Sequence, residues 1–299
     1  VRYNETYLGS CATNTHLMTS SDASFAIAHT LLDADMPWPA WTNLGCWQRR
    51  DGSALTEYAE AAKQLATRVG AAAITAPDQC VVDLGCGHGA SLLLWQQQFA
   101  AAQIIGIELQ QSCVDGWQQH DQPVAGISLH QGRFDQLPLP ESIAALLPAT
   151  GADAVVCVDA AYHADSIGAF AAVAQRLLRP QGRLAFTTVL QPASTSLSQR
   201  LQQRLMTRLS GIPPASFISA DELQRTLTRL GFDGIRIEYL DREVLQGFAE
   251  FVTRRAAELP KPQRRSLAWL KIAATGVLCG HWFRRQAVRY VLVSAARAS

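Results

Sequence analysis

Charge is sparse in this chain. Asp, Glu, Lys and Arg make up 17% of its 299 residues and apolar types 48%. That balance excludes a disordered, self-repelling polymer and fits one large domain, or one domain with a sizeable cap. Cysteine pairs are missing: the seven thiols, at 11, 46, 80, 86, 113, 157 and 279, form no C-x-x-C and are odd in number. This excludes a disulfide frame and a metal-binding knuckle, and points to reduced structural thiols in a cytoplasmic protein with no metal. Long hydrophobic runs are missing too. The most apolar stretch, Leu267 to Phe283, is interrupted by Lys271 and His281, so a buried or membrane-skimming helix suits it better than a membrane span. No charged n-region precedes an apolar run near the N-terminus, so no signal peptide is expected. Internal repeats and low-complexity tracts are absent from the sequence.

The net charge is only +1, but it is unevenly placed. From Arg254 onward ten Lys/Arg face one acid, Glu258, while the rest of the chain holds sixteen bases and twenty-four acids. A basic end beside an acidic body suits an anionic substrate, an acidic lipid surface or nucleic acid; the plain alternative is a set of solvated helix faces. Nucleic acid is set aside, because the bases lack interleaved aromatics and no recognised motif is present. Arg264-Arg265, Lys271, Arg284-Arg285 and Arg289 keep open a diphosphate-bearing substrate and a peripheral contact with anionic lipid.

Residues 1 to about 40 read as an irregular arm with one helix near 24–32, followed by the proline-broken, indole-rich Met36-Pro37-Trp38-Pro39-Ala40-Trp41. Leu55, Tyr58, Ala62, Leu65 and Val69 recur at three and four residues, which predicts a helix from Leu55 through Val69. Strand patterns near 80–84, 103–107, 126–130, 153–158 and 183–189 then alternate with helix patterns near 89–99, 111–119, 140–147 and 166–178. Strict alternation predicts an α/β fold, a mostly parallel sheet covered on both faces. Beyond Pro192 come helices near 195–209 and 219–230, a strand at 235–239, helices near 243–258 and 263–279, and a last strand at 288–293.

The most informative run is Val81-Val82-Asp83-Leu84-Gly85-Cys86-Gly87-His88-Gly89, with Glu108 ending a second strand. The glycines let the backbone approach a ligand closely, and the helix behind them offers free N–H groups. A carboxylate about twenty residues on suits a vicinal ribose diol. This is a nucleoside-cofactor pattern, and Gly85 to Ala90 also satisfies the looser dinucleotide fingerprint G-x-G-x-x-A. Asp83 separates the two: it would repel a pyrophosphate and tolerate a ligand bearing a sulfonium and an ammonium. A doubly wound domain whose turn binds nothing remains the plain alternative.

The form D-x-G-x-G-x-G with an acid-ended second strand resembles the class I S-adenosylmethionine (SAM) methyltransferases. Asn43-x-Gly45-x-Trp47 resembles the opening of their small-molecule group, which includes tocopherol, sterol, phosphoethanolamine and antibiotic-sugar enzymes. Gly132-Arg133-Phe134-Asp135-Gln136-Leu137-Pro138 is similar to that group's G-D-A-x-x-L-P adenine loop, with Arg133 where the acid stands; Phe134 is placed to stack on adenine and Asp135 to replace the acid. Asp159-Ala160-Ala161-Tyr162-His163 resembles its D-A-x-x-H run. The resemblance covers residues 40 to 190 strongly and the remainder by order of elements. It implies a Rossmann-like, doubly wound seven-stranded sheet, mostly parallel with an antiparallel last strand, plus an N-terminal arm (1–70) and a SAM-binding domain (71–299) with lid helices at about 192–230 and 243–282.

The same resemblance implies SAM contacts at Asp83, Gly85, Cys86, Gly87, Gly89, Glu108, Leu109, Arg133, Phe134, Asp159 and Trp47. His163 becomes the candidate base or substrate orienter, with Tyr162 second. Thr187-Thr188 stands where sugar O-methyltransferases often carry an acid to support the histidine. That departure weakens the case for O-methylation and leaves an amine or a nucleophilic carbon open, so the acceptor is O, N or C. Trp38, Trp41 and Phe25 are candidate substrate contacts. The function expected is methyl transfer to a small, largely apolar metabolite in specialised metabolism, by a monomer or homodimer. The alternatives are C-methylation of a prenyl diphosphate-like anion, a non-catalytic SAM-fold scaffold supported by the altered loop at Arg133, and an NAD(P)-dependent oxidoreductase.

Overall fold

Strand β1 (Cys80–Leu84) is buried at every residue, and β2 (Gln103–Glu108) at every residue but the first. Helices cover both faces of a parallel sheet, which is why these strands read as unbroken apolar runs. The computed structural model describes residues 29–36, 38–119, 124–138, 140–192 and 210–299. Phe25, the start of the helix expected near 24–32 and the helix expected near 195–209 lie outside them.

Seven strands form one sheet. With β3 (Ile127–Gln131), β4 (Ala152–Cys157), β5 (Leu178–Leu190), β6 (Phe232–Tyr239) and β7 (Arg289–Arg297), the order is β3-β2-β1-β4-β5-β7-β6. The strands from β3 to β5 pair in parallel, and β7 runs antiparallel to both β5 and β6. The sheet is the one expected.

Alternate strand residues divide the core in two. Val81, Ile104, Val156, Tyr290 and Leu292 face α1 (Tyr58–Ala73), α2 (Ala90–Phe99), α6 (Gly247–Glu258) and α7 (Leu267–Arg285). Val82, Ile105, Val155, Phe186 and Val291 face α4 (Ile167–Leu177) and α5 (Ala220–Arg229). The helices expected as one lid therefore lie on opposite faces: α5 buries Leu223 and Leu227 in the second core, while α6 and α7 join the first. Amphipathic spacing shows that a helix has a buried face, not which surface it meets.

Local chemistry moved two boundaries. The helix expected from Leu55 starts at Tyr58, because Leu55 is held in a hairpin by its N–H to the Trp47 carbonyl (2.9 Å). The helix expected from 263 starts at Leu267, because Ser266 accepts the Trp269 N–H at 3.1 Å as an N-cap. Helix α3 (Gln111–Gln118) follows β2. Among the described residues no helix is long and apolar enough to cross a membrane.

Candidate active site

The glycine turn stands at the carboxyl end of β1, where open α/β sheets bind ligands. Gly85, Gly87 and Gly89 have φ of 76°, 57° and 90°, backbone that side chains resist. A β-carbon on Gly85 would lie 2.6 Å from Ala160, and one on Gly89 2.7 Å from Trp117. The Sγ of Cys86 packs where Gly106 of β2 leaves room, and burial pushes its thiol well up. Glu108 caps the turn: one carboxylate oxygen accepts the Gly87 N–H and the other the Gln110 N–H, both at 2.9 Å. Leu109 follows it, half-exposed.

Asp83 is fully buried under this turn. Its Oδ2 accepts Ser91 Oγ–H at 2.6 Å and Trp95 Nε1–H at 2.8 Å, while Oδ1 has no partner among the described residues. Burial pushes its carboxyl up to about 6, against the pull of those two donors. A buried acceptor without a donor suits a cationic or N–H-bearing ligand group, and an acid-capped glycine turn beside it suits a nucleoside. These residues fit SAM.

The arm closes over the turn. Thr42 Oγ1 stands 2.9 Å from where a β-carbon on Gly87 would sit, and a cavity of about 20 Å³ remains between Trp41, Thr42 and Asn43 on one side and Gly85, Cys86 and Ser91 on the other. Trp41 thus lies at the glycine turn. Trp38, 44% exposed, stacks on Trp117 with ring centroids 5.5 Å apart.

A second cluster gathers at the end of β4. Asp159 has φ of 59°, so its carboxylate turns inward. Oδ2 accepts the Leu44 N–H at 2.7 Å; Oδ1 accepts the phenols of Tyr162 and Tyr290, both at 2.8 Å. Its own N–H donates to Thr187 Oγ1 at 2.7 Å. Thr187 therefore supports Asp159. Burial pushes the Asp159 carboxyl up, and the four hydrogen-bonding and charged neighbours, led by Tyr290, oppose it. His163 closes a short 3₁₀ turn with its Nδ1 3.3 Å from the Gly211 carbonyl, and burial lowers its pKa.

Three expected contacts are placed otherwise. Trp47 does not reach the turn: it is 5% exposed, stacked on Phe251 at 4.5 Å, with its indole N–H on the Leu44 carbonyl. Its flat face lies where Gly247 has no side chain, so it braces the loop that meets Asp159. Asp135 does not stand in for the adenine acid. Both its oxygens are taken by Arg133, at 3.0 and 2.8 Å, and one also by the Asp165 N–H at 2.6 Å. Arg133 in turn meets Asp165 at 2.9 Å, so it closes its own loop. Phe134 does lie at the turn, its ring against Gly85 and edge-on to Phe170. Tyr290 and Trp117 went unread; an inward position on β7 and the small Gly89 beneath an indole were their only traces.

A methyltransferase-domain family pattern matches residues 53–237, more than half the chain and all of the turn, Glu108 and Asp159. The chain belongs to the methyltransferase-domain family. It is similar to erythromycin 3''-O-methyltransferase of Saccharopolyspora erythraea, 26% identical over 223 residues, covering 72% of this chain and 69% of that one. Its fold is shared with a sarcosine dimethylglycine methyltransferase from Galdieria sulphuraria (TM-score 0.67, 13% identity, 94% and 99% covered). A mycolic acid cyclopropane synthase crystallised with S-adenosylhomocysteine shares it as well (TM-score 0.67, 16% identity, 94% and 99% covered). This methyltransferase is SAM-dependent, acts on small molecules and is related to enzymes of antibiotic and secondary metabolism.

Proposed function

We propose that this methyltransferase methylates a hydroxyl oxygen of a small, largely apolar metabolite, with His163 taking the hydroxyl proton. One observation carries the reading. A carbonyl can only accept, so the 3.3 Å contact of His163 Nδ1 with Gly211 puts the proton on Nδ1 and leaves Nε2 as the basic nitrogen. Burial favours the neutral ring, which is the form a base needs. The O-methyltransferase relative supports the same acceptor atom.

When bound, SAM supplies an electrophilic methyl carbon on a sulfonium sulfur. In this reading Glu108 accepts from the ribose hydroxyls, Asp83 faces the ammonium end, and the backbone of Gly85, Cys86, Gly87 and Gly89 lies along the ligand. Leu109 and Phe134 flank the adenine, and Asp159 fixes the wall between cofactor and acceptor. A cavity of about 20 Å³ holds little more than one water, so residues 40–43 move aside for binding and then exclude water. Positioning would supply much of the rate, and Nε2 of His163 would take the acceptor hydroxyl's proton as oxygen replaces sulfur on the methyl carbon, with S-adenosylhomocysteine as the leaving group. The paired arginines do not favour a prenyl diphosphate: Arg264, Arg265, Arg284 and Arg285 are exposed, and Arg289 is bound to Asp241 at 2.6 Å. The partners in this reading are the acceptor and, through the basic C-terminal helices, an anionic lipid surface; the chain works as a monomer or homodimer.

Methyl transfer to a panel of hydroxylated glycosides tests it. His163→Ala and His163→Gln should lower the rate by about 10²–10⁴-fold while S-adenosylhomocysteine affinity holds. An unchanged rate, or a product methylated on nitrogen or carbon, contradicts it.

A further inference from the structure

Helix α7 has two faces with different business. Its inner face buries Trp269, Ile272, Cys279 and Trp282. Cys279 lies near enough to Asp159 for that carboxylate to add to burial in pushing its thiol up. Its outer face shows Leu267, Leu270 and Val277 at 79%, 51% and 70% exposure. At 100° per residue these three fall within one narrow stripe. Large apolar side chains so exposed, and aligned, need a reason.

The charges around them supply it. Residues 259–299 hold eight Lys/Arg and no Asp or Glu. Lys261, Arg264 and Arg265 stand exposed at one end of the stripe, and Arg284 and Arg285 at the other. An apolar stripe between two cation clusters, which form no ion pair among the described residues, is complementary to acyl chains beneath anionic headgroups. A second copy of the chain fits badly, since a parallel or an antiparallel pairing of these helices sets cations against cations. Nucleic acid would use the cations and strand the leucines.

We infer that α7 and the helical turn Lys261–Arg264 form a surface that docks on anionic lipid, with Leu267, Leu270 and Val277 inserted and the arginine pairs on the headgroups. The inference deepens the lipid contact of the proposed function. Its consequence is spatial: one helix, about 10 Å across, separates the docked face from Asp159, so an apolar acceptor dissolved in the bilayer is presented beside the site.

Co-sedimentation of the full chain with vesicles tests this without acceptor or methyl transfer, so it stands or fails apart from the O-methylation reading. Vesicles of phosphatidylcholine alone are compared with phosphatidylcholine mixed with phosphatidylglycerol. Binding to the anionic vesicles should be at least about tenfold stronger and fall at high salt. R264E/R265E should lose that preference. L267S/V277S should weaken binding to both vesicles with an unchanged melting temperature, because both side chains are exposed. Equal binding to the two vesicles, or binding that neither variant alters, overturns the inference. So does a homopolymer RNA retained by L267S/V277S where the anionic vesicles are not bound.

Discussion

Leu44 and Asp159 are 115 positions apart in the chain, and one hydrogen bond of 2.7 Å joins them. The bond fastens the arm that covers the glycine turn to the strand end that carries the candidate base. Tyr58 reinforces the arm, its phenol donating to the Asn43 carbonyl at 2.7 Å, and so does the Trp47 indole on the Leu44 carbonyl. The cover of the glycine turn and the strand end bearing Asp159 and His163 are thereby one mechanical unit.

Tyr290 tests that unit from the far side of the sheet. Tyr290→Phe removes one donor from the buried Asp159 carboxylate and keeps the ring. It should cost about 1–2 kcal/mol in urea unfolding and lower methyl transfer. An unchanged stability would mean that the Tyr290 phenol does not hold Asp159.

Asp83 makes the protein's stability depend on pH in an unusual direction. Its folded pKa of about 6 lies above the ordinary 3.8, so the folded state holds a proton that the unfolded chain has released. Its contribution is greatest below about pH 4 and declines toward about pH 6, by on the order of 3 kcal/mol. The stability difference between wild type and Asp83→Asn should follow that slope. Binding of S-adenosylhomocysteine, whose ammonium favours the ionised carboxylate, should release protons near pH 6 in wild type and none in the variant. Heats measured in buffers of different ionisation enthalpy decide this, and equal proton release in both proteins would remove Asp83 from the site.

In the proposed mechanism His163 sets the acid limb of the rate. Burial lowers its pKa from 6.5, so the neutral ring is regained below that value as pH rises. The methyl-transfer rate should climb with pH, with the midpoint of the climb below the ordinary histidine value, and lose that limb in His163→Gln. A limb that survives the substitution belongs to another group.

Gly247 is where Trp47 packs closest, with its Cβ, Cγ and Cδ1 at 2.4–2.6 Å from the place a β-carbon would take. Gly247→Ala should therefore destabilise by about 1–3 kcal/mol, and weaken cofactor binding through the displaced Leu44 loop. A melting temperature equal to wild type would show that the packing gives way without effect.

The sheet was legible because unbroken apolar runs and helix patterns alternate, and that order has few solutions. The glycine turn and Glu108 were legible because their spacing is set by one local turn, one helix and one strand length. Trp47 was legible as a residue of the cofactor or entry loop, but its partners were not: Phe251 and Gly247 come about two hundred positions later, and no local pattern records them. Arg133 and Asp135 looked like a damaged adenine loop; only geometry shows that Arg133 pairs with both Asp135 and Asp165. Tyr290 reads as any inward residue of a strand until the antiparallel pairing of β7 beside β5 brings its phenol to Asp159.

Calorimetric titration with S-adenosylhomocysteine, on wild type and on Glu108→Ala, tests the central claim most directly. Glu108 is 6% exposed and holds the Gly87 N–H of the turn, and a hydrogen bond to a charged group is worth about 1.5–3 kcal/mol. The account predicts micromolar binding by wild type and an affinity about 10- to 100-fold weaker in the variant. No binding by wild type, or equal binding by both proteins, would contradict the assignment of this turn as the cofactor site.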